Sequence, residues 1–386
     1  MRIPLPEHSS PFPAQPVFRR GPPMREATLP SLSGMRFCFE SLDAARRQRG
    51  EALDRMGFGP AASPSTILLD TPALRLHAYD AEPAGLPALI VPAPIKRHYI
   101  WDLAPGSSVV RHAVNEGLRP FVIEWKDPAG EVNALGLDDY GARLIDACMD
   151  AIAARTGKPA AFLFAHSLGG VFATTYAAWR PTRTAGLVLI ETPLHFGADT
   201  GAFRSLLAMT PPAQQITRSF SSVPGSLLSM ASMAASPTTF ALERYADLMA
   251  SLPSRERLQR HLQVERWTLD EAPMARRLFE EVIDKLYRGD ELYCGRLTVA
   301  DTTAGPDKIL CPMLSVVDPH SRVIPPASIL AFQEAAASPR KQVLEVTNDQ
   351  GVGLAHVGAL IGSNAHRRLW PQIFAWVRET GMPAAA

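Results

Sequence analysis

A serine flanked by very small residues constrains the fold of this chain more than any other feature. Ser167 stands in the stretch Ala165-His166-Ser167-Leu168-Gly169, with alanine two positions before it and glycine two positions after it. An apolar run over 160–164 precedes this stretch, and an alanine-rich run over 171–179 follows it. The pattern predicts a strand, a turn too tight for larger side chains two residues away, and then a helix. Such a turn holds the serine in a strained conformation, with its hydroxyl raised above the edge of a sheet.

This turn predicts nucleophilic chemistry at Ser167. The backbone N–H of Leu168 is at the start of the predicted helix and can point at an oxygen that becomes negatively charged during attack. A second N–H has to come from another segment, and the loop after the apolar run 88–91 is the expected source. Because the two prolines of this loop have no N–H, we expect Ile95 to be the second donor.

Around Ser167, short apolar runs alternate with segments of helical periodicity. Strands are predicted over 74–79, 88–91, 121–125, 186–190, 313–317 and 342–346, and helices over 107–116, 139–156, 171–179 and 327–337, with a last helix that ends near 378. Strands that alternate with helices predict a mostly parallel, doubly wound sheet. With the turn at Ser167 and the long helical insertion described below, this is typical of the α/β-hydrolase fold with a cap.

The pattern divides the chain into four segments. They are a mobile N-terminal arm and lead-in (1–60), the first part of the core (61–197), a helical cap or lid insertion (198–305) and the second part of the core (306–386). We expect the cap to cover Ser167. Its methionines at 209, 230, 233 and 249 allow two interpretations: a conformable pocket lining, or packing inside the cap's own core.

Composition argues against several classes of function. The formal net charge of +1 gives no indication of a nucleic-acid partner, and no apolar run is long enough to predict a membrane span. The four cysteines are scattered, and the histidines form no ligand pair with cysteines or carboxylates at useful spacing, so no metal or other cofactor is predicted. Free thiols suit a reducing compartment and predict a cytoplasmic protein.

A histidine near the end of the chain is the predicted base for Ser167. His356 lies in the glycine-rich stretch 351–358 after the last predicted strand, where this fold returns an imidazole over the nucleophile. We expect His166 to shape the pocket wall, because its side chain points away from that of Ser167. His98, near the end of a strand, is a candidate for the mouth of the pocket.

The carboxylate that orients His356 is left open between two residues. Asp318 directly follows the strand predicted over 313–317, and Glu191 directly follows the strand predicted over 186–190. Both stand at the carboxyl ends of parallel strands, where catalytic groups gather. The strand before Asp318 usually delivers this acid, which favours Asp318 slightly.

Several segments, in the same order along the chain, resemble the polyhydroxyalkanoate synthases, especially the short two-subunit type. The resemblance extends from about residue 85 to 380. The matching segments are Val91-Pro92-Ala93-Pro94-Ile95-Lys96-Arg97-His98-Tyr99-Ile100-Trp101-Asp102-Leu103, then 121–128, 137–140, 265–267 and 286–287, and finally 356–371 with its His-Val-Gly and Trp-Pro pairs.

The chain departs from the family pattern in two features, the nucleophile box and the acid. The family has a cysteine where this chain has Ser167, and Ala165 replaces the first glycine of the family's box. A thiolate is a strong nucleophile and a good leaving group for repeated thioester exchange, whereas a serine ester is a normal hydrolase intermediate. The family's aspartate lies four residues before a proline, and that spacing from Pro325 reaches Ser321 rather than Asp318.

The resemblance implies an acyl-CoA or ester substrate with a 3-hydroxyacyl group, and it leaves a homo-oligomer or an accessory subunit open as a partner. With serine as the nucleophile, we expect hydrolysis or a single acyl transfer. Two alternatives stay open. One is a polyhydroxyalkanoate synthase with a serine nucleophile, and the other is a non-catalytic relative that binds a granule or a partner protein.

Overall fold

A mixed eight-stranded sheet organises the chain, and the structure, a computed structural model, describes residues 32–79, 81–197, 201–347 and 349–381. The strands are β1 (Thr66–Asp70), β2 (Leu74–Ala78), β3 (Leu86–Val91), β4 (Leu118–Trp125), β5 (Ala161–His166), β6 (Thr184–Ile190), β7 (Met313–Val317) and β8 (Lys341–Glu345). Their spatial order is β1-β2-β4-β3-β5-β6-β7-β8. β2 is antiparallel to both of its neighbours, and the remaining pairs are parallel. The predicted, mostly parallel sheet is confirmed.

Helices connect the strands and fill the insertion. They are α1 (Leu32–Arg55), α2 (Val109–Asn115), α3 (Leu144–Thr156), α4 (Leu168–Trp179), α5 (Ala202–Ala208), α6 (Ala213–Thr217), α7 (Gly225–Ala235), α8 (Arg244–Ser251), α9 (Arg255–Leu269), α10 (Arg276–Glu281), α11 (Pro326–Ala335), α12 (Gly358–Ile361) and α13 (Trp370–Gly381). No helix within the described residues is long and apolar enough to cross a membrane.

Both faces of the sheet are covered, as the strand sequences require. Along β3 and β5, alternate side chains enter opposite hydrophobic clusters, because successive residues of a strand point to opposite faces. One cluster contains the apolar side chains of α3 and α4, and the other contains those of α2 and α13. Burial on both faces explains why the central strands read as uninterrupted apolar runs.

The ends of the sheet and some helix boundaries differ from the predictions. The alternation in the sequence begins at 74 and does not predict β1, whose residues are half-buried or exposed. The helix predicted over 107–116 is shorter, because Ser107–Ser108 forms a short strand and the Ser108 hydroxyl caps α2 by accepting from the N–H of Arg111.

Part of the segment 1–60, predicted as a mobile arm and lead-in, is helical over Leu32–Arg55. α1 spans 24 residues and is tied to the insertion. Asp43 accepts a hydrogen bond from the backbone N–H of Ser226 at 2.8 Å, and Asp54 pairs with Arg266 at 2.7 Å. The preceding stretch, 1–31, lies outside the described residues.

The insertion is mostly helical, but it is not an independently packed unit. Buried side chains of its helices and short strands join the same hydrophobic cluster as α3 and α4; they include Val223, Met274, Leu278, Leu286 and Leu297. Its four methionines are 40–80% exposed, which contradicts packing inside the insertion's own core and leaves a role in lining a pocket as a prediction.

Candidate active site

Ser167 occupies the strained turn that the sequence predicts. It links β5 to α4 with φ 54° and ψ −132°, and its N–H donates to the carbonyl of Ile190 at 3.1 Å. A Cβ atom on Gly169 would lie 2.2 Å from the carbonyl oxygen of Val91, and one on Gly170 would lie 2.0 Å from the Thr192 hydroxyl. The small residues after the serine are therefore needed because α4 begins in direct contact with the neighbouring strand ends.

The loop after β3 lies against the start of α4, where an oxyanion site needs it. The carbonyl of Pro92 accepts a hydrogen bond from Trp125 Nε1 at 2.8 Å, which fixes the loop to β4. Ile95 is half-buried and packs against the hydrophobic core. The N–H of Leu168, in the first turn of α4, has no partner within the helix, as in any α-helix. The loop also contains the N–H of Ala93, between the two prolines.

His356 is held between a second histidine and a carboxylate. It lies in a 3₁₀ turn, Ala355–Val357, just before α12. Its Nδ1 is 3.1 Å from Oε2 of Glu191. His166 Nε2 donates to the carbonyl of His356 at 2.8 Å, and the two rings lie 4.4 Å apart. His166 therefore supports the backbone of the predicted base, a contact that its place in the sequence does not indicate.

Two buried carboxylates lie at this edge of the sheet, at the ends of neighbouring strands. Glu191 has a left-handed φ of 40°, and its N–H donates to the carbonyl of Val316 at 3.0 Å. Its Oε1 is buried without a hydrogen-bond partner among the described residues. Asp318 accepts from the backbone N–H of His320 at 2.9 Å. Nδ1 of His356 is within hydrogen-bond distance of Glu191, whereas the sequence slightly favours Asp318 as the orienting acid.

Burial sets the protonation of this cluster. It raises the pKa of Glu191 well above its usual range, and the negative charge of Asp318 raises it further. Burial also lowers the pKa of His356 to about 4, while Asp318 opposes this shift. His356 is therefore an unprotonated imidazole at neutral pH, which is the form that can accept a proton from a serine hydroxyl.

A small cavity of about 120 Å³ adjoins His356 and Asp318. Its other walls come from the insertion, through Thr239 and Glu243, and from the loop after β7. The insertion thus shares this cavity with the predicted base. Its role as a cover over Ser167 stays a prediction.

His98 lies beside a second histidine and a carboxylate, and its place at the mouth of the pocket stays a prediction. It does not line the cavity beside His356; its ring stacks on that of His77 at 4.9 Å. His77 Nε2 lies 2.8 Å from Glu124, and these three residues offer ligand atoms within 4.8 Å of one another, a donor set suited to Zn²⁺. Arg75 lies 3.7 Å from Glu124, so its guanidinium already supplies a positive charge to this carboxylate. Sequence spacing does not reveal this group, because its members come from β2, β4 and the turn after β3.

A buried carboxylate of the insertion holds the loop after β3. Glu271 accepts from Lys96 Nζ and from Arg46, each at 2.8 Å, so it joins this loop to α1. Burial lowers the pKa of Lys96, and the charge of Glu271 opposes that shift. Lys96 directly follows Ile95, and its position therefore affects the predicted oxyanion donor.

The substitution Glu271→Ala is expected to lower the free energy of unfolding by about 3–5 kcal/mol, because it leaves the ammonium of Lys96 buried without its counter-ion. Denaturant unfolding of the purified protein measures this. Glu40→Ala is the control, since Glu40 pairs with Arg36 within one helix and both side chains are more than half exposed; its loss should stay within about 1 kcal/mol. Equal effects of the two variants would contradict the argument.

Comparison with known proteins agrees with this architecture. A family model described as the α/β hydrolase fold matches residues 39–221. The poly(3-hydroxyalkanoate) polymerase subunit PhaC of Haloferax mediterranei is 26% identical over 87% of this chain and 68% of its own length. The PhaC subunit of Allochromatium vinosum is 24% identical over 88% of this chain and 96% of its own length.

Two solved structures share the fold. A monoacylglycerol lipase from Paleococcus ferrophilus superimposes with a TM-score of 0.50 and 16% identity, covering 80% of this chain and 99% of the lipase. A thermophilic esterase from Thermogutta terrifontis gives a TM-score of 0.51 and 16% identity, covering 83% of this chain and 100% of the esterase. At these identities the likeness concerns the fold alone.

Proposed function

Because this chain is an enzyme of the α/β-hydrolase fold related to the poly(3-hydroxyalkanoate) polymerases, we propose that it transfers acyl groups through Ser167. The observation that carries the proposal is the left-handed φ of 54° at this serine, between a buried strand and a helix N-terminus. A non-glycine residue in such a conformation costs about 1–3 kcal/mol and is typical of functional sites.

In the proposed mechanism, Ser167 attacks the carbonyl carbon of an ester or thioester while Nε2 of His356 takes the hydroxyl proton. Glu191 accepts a hydrogen bond from Nδ1–H, which leaves Nε2 free as the base. The N–H groups of Leu168 and Ile95 stabilise the tetrahedral oxyanion. The imidazolium then returns its proton to the departing thiol or alcohol, and a serine ester remains on the enzyme.

The substrates proposed are 3-hydroxyacyl esters or thioesters, with acyl-CoA as the thioester class. The relatives named above support this choice, since they are poly(3-hydroxyalkanoate) polymerases. The serine favours an acyl-enzyme that water or one acceptor resolves, because an alkoxide is a poorer leaving group than a thiolate for repeated transfer.

None of the four cysteines stands in the turn at Ser167, where the family has its thiol. Cys148 and Cys311 are buried, and burial raises the pKa of both thiols, that of Cys311 to about 12. Cys38 and Cys294 are exposed and unpaired. Unpaired thiols also support the proposed cytoplasmic location. A homo-oligomer or an accessory subunit stays a prediction.

The experiment that tests the proposal supplies purified protein with 3-hydroxybutyryl-CoA. We expect release of free CoA together with soluble 3-hydroxybutyrate or a single transferred ester, and no high-mass polyester. Thiol release followed with a chromogenic disulfide, and size analysis of the acyl product, measure the two outcomes.

Two results would overturn parts of the proposal. Turbidity and recovery of long polymer along with CoA release would identify a serine-dependent synthase. Absence of turnover on a panel of acyl-CoA and ester substrates, with no labelling by a fluorophosphonate, would identify a non-catalytic relative instead. Ser167→Ala, assayed in parallel, separates enzymatic from spontaneous hydrolysis.

A further inference from the structure

The loop that carries His356 begins on a carboxylate of the insertion. Asp247, on α8, accepts a hydrogen bond from the N–H of Gly351 at Oδ1, with a length of 2.7 Å, and one from the N–H of Gly353 at Oδ2, with a length of 2.8 Å. His261, on α9, places its Nδ1 2.7 Å from the same Oδ2. One side chain of the insertion thus binds two backbone amides that lie three and five residues before His356.

This loop packs directly against α9. Gly351 has φ +77°, and a Cβ atom there would lie 2.9 Å from the backbone oxygen of Arg257. Gly353 has φ +66°, and a Cβ atom there would lie 3.0 Å from the side chain of Val264. Both positions require glycine, because the turn is left-handed and the helix leaves no room for a side chain.

The carboxylate is well suited to hold amides. Its side chain is only 13% exposed. Burial alone would raise the pKa of Asp247, but the hydrogen bonds from His261 and the two glycine amides outweigh it and lower that pKa. Asp247 is therefore ionised over the neutral range, and hydrogen bonds to an ionised acceptor are about twice as strong as those between neutral groups.

We propose that Asp247 is the positioning residue for His356, so that the insertion holds the predicted base in place instead of acting only as a cover. This inference rests on the proposed function of His356. Asp247 fixes the start of the loop, and His166 fixes its end through the carbonyl of His356. The helices α8 and α9 then cannot lift away from the core without releasing the base. Substrate has to reach Ser167 through a smaller movement than opening of the whole insertion.

The variant Asp247→Asn tests this inference with little change of shape. The asparagine has one acceptor oxygen where three donors converge, so its NH₂ group faces at least one of them. We expect kcat to fall about 10²-fold with KM within about twofold, since a misplacement of about 1 Å has this effect on a catalytic group. The rate of Ser167 labelling by a fluorophosphonate should fall by the same factor, and hydrogen exchange at the amides of Gly351 and Gly353 should accelerate.

Two further variants complete the design. Asp284→Asn is the matched control, because Asp284 also belongs to the insertion and pairs with Arg288 at 2.7 Å; it should keep the wild-type kcat. Asp247→Glu keeps the charge and should recover part of the lost kcat. If Asp247→Asn does not fold, kcat and hydrogen exchange are measured on Asp247→Glu instead.

The outcomes separate this inference from the proposed function. Faster exchange at Gly351 and Gly353 with unchanged kcat would overturn the positioning role. Unchanged exchange in Asp247→Asn would overturn the contact itself. A loss of kcat that only matches the loss of folded protein, measured by tryptophan fluorescence, would also overturn it. By contrast, an active Ser167→Ala variant would overturn the proposed function and leave the exchange result standing.

Discussion

Replacing Ser167 by alanine is expected to lower kcat by about 10⁵–10⁶-fold, because the nucleophile of a catalytic triad contributes nearly the whole effect of the triad. The folded structure should persist. Alanine meets the same strain as serine at φ 54°, and its smaller side chain fits a turn whose neighbours are already in contact. Initial rates with an ester and with 3-hydroxybutyryl-CoA measure the loss of activity, and thermal unfolding measures the stability.

Ser315→Ala is the matched control for this variant. Ser315 is a fully buried serine on β7, and its hydroxyl has no hydrogen-bond partner among the described residues, so its removal should leave kcat unchanged. A fluorophosphonate should label the wild type and Ser315→Ala but not Ser167→Ala. Substantial turnover by Ser167→Ala would show that the strained serine is not the nucleophile.

The sheet was predictable because its central strands are buried on both faces. A strand that is buried on both faces has a continuous apolar sequence. The apolar runs that end at Val91, Ile190 and Val317 match β3, β6 and β7. The turn at Ser167 was predictable for a different reason. Positions 169 and 170 require glycine, because a Cβ atom at either position would lie only 2.0–2.2 Å from backbone or side-chain atoms of neighbouring residues.

Features that depend on contacts distant in sequence were not predictable. β1 has no buried face that would produce an apolar pattern in the sequence. Helix α1 is held by contacts of Asp43 and Asp54 with the distant insertion, and these contacts leave no local pattern. The contact between Asp247 and the glycine amides joins residues about 104 positions apart and has no local signature. A glycine-rich loop before His356 was visible, but the sequence does not state what packs against it.

The orienting acid shows where prediction from sequence ends. β6 and β7 are parallel neighbours in register, with Ile190 opposite Val316, so residues that follow them reach the same edge of the sheet. The sequence therefore places both Glu191 and Asp318 near His356. The proposed choice of Glu191 rests on a feature that the sequence does not show: its backbone has a left-handed φ of 40°, and its Oε2 is 3.1 Å from Nδ1 of His356.

The substitution Glu191→Gln is expected to lower kcat about 10⁴-fold. The amide of glutamine can donate to Nδ1 of His356, which leaves the ring proton on Nε2, the atom that must accept the proton of Ser167. Asp318→Asn should retain most of the wild-type kcat at pH 7, because Asp318 acts on the pair mainly through its charge. If Asp318→Asn alone shows the large loss, Asp318 is the acid and this assignment is wrong.

The pH dependence of Asp318→Asn provides an independent test with a definite sign. The negative charge of Asp318 raises the pKa of both Glu191 and His356. In the proposed mechanism, the active state requires an ionised Glu191 and an unprotonated His356, so activity is lost as pH falls through whichever pKa is higher. Removing the charge lowers both pKa values, and the acidic limb of kcat/KM should therefore move to lower pH. The pH profile is measured in buffers of constant ionic strength. An acidic limb that stays in place would show that the charge of Asp318 does not affect Glu191 and His356. A shift of the limb to higher pH would show that the charge acts with the opposite sign.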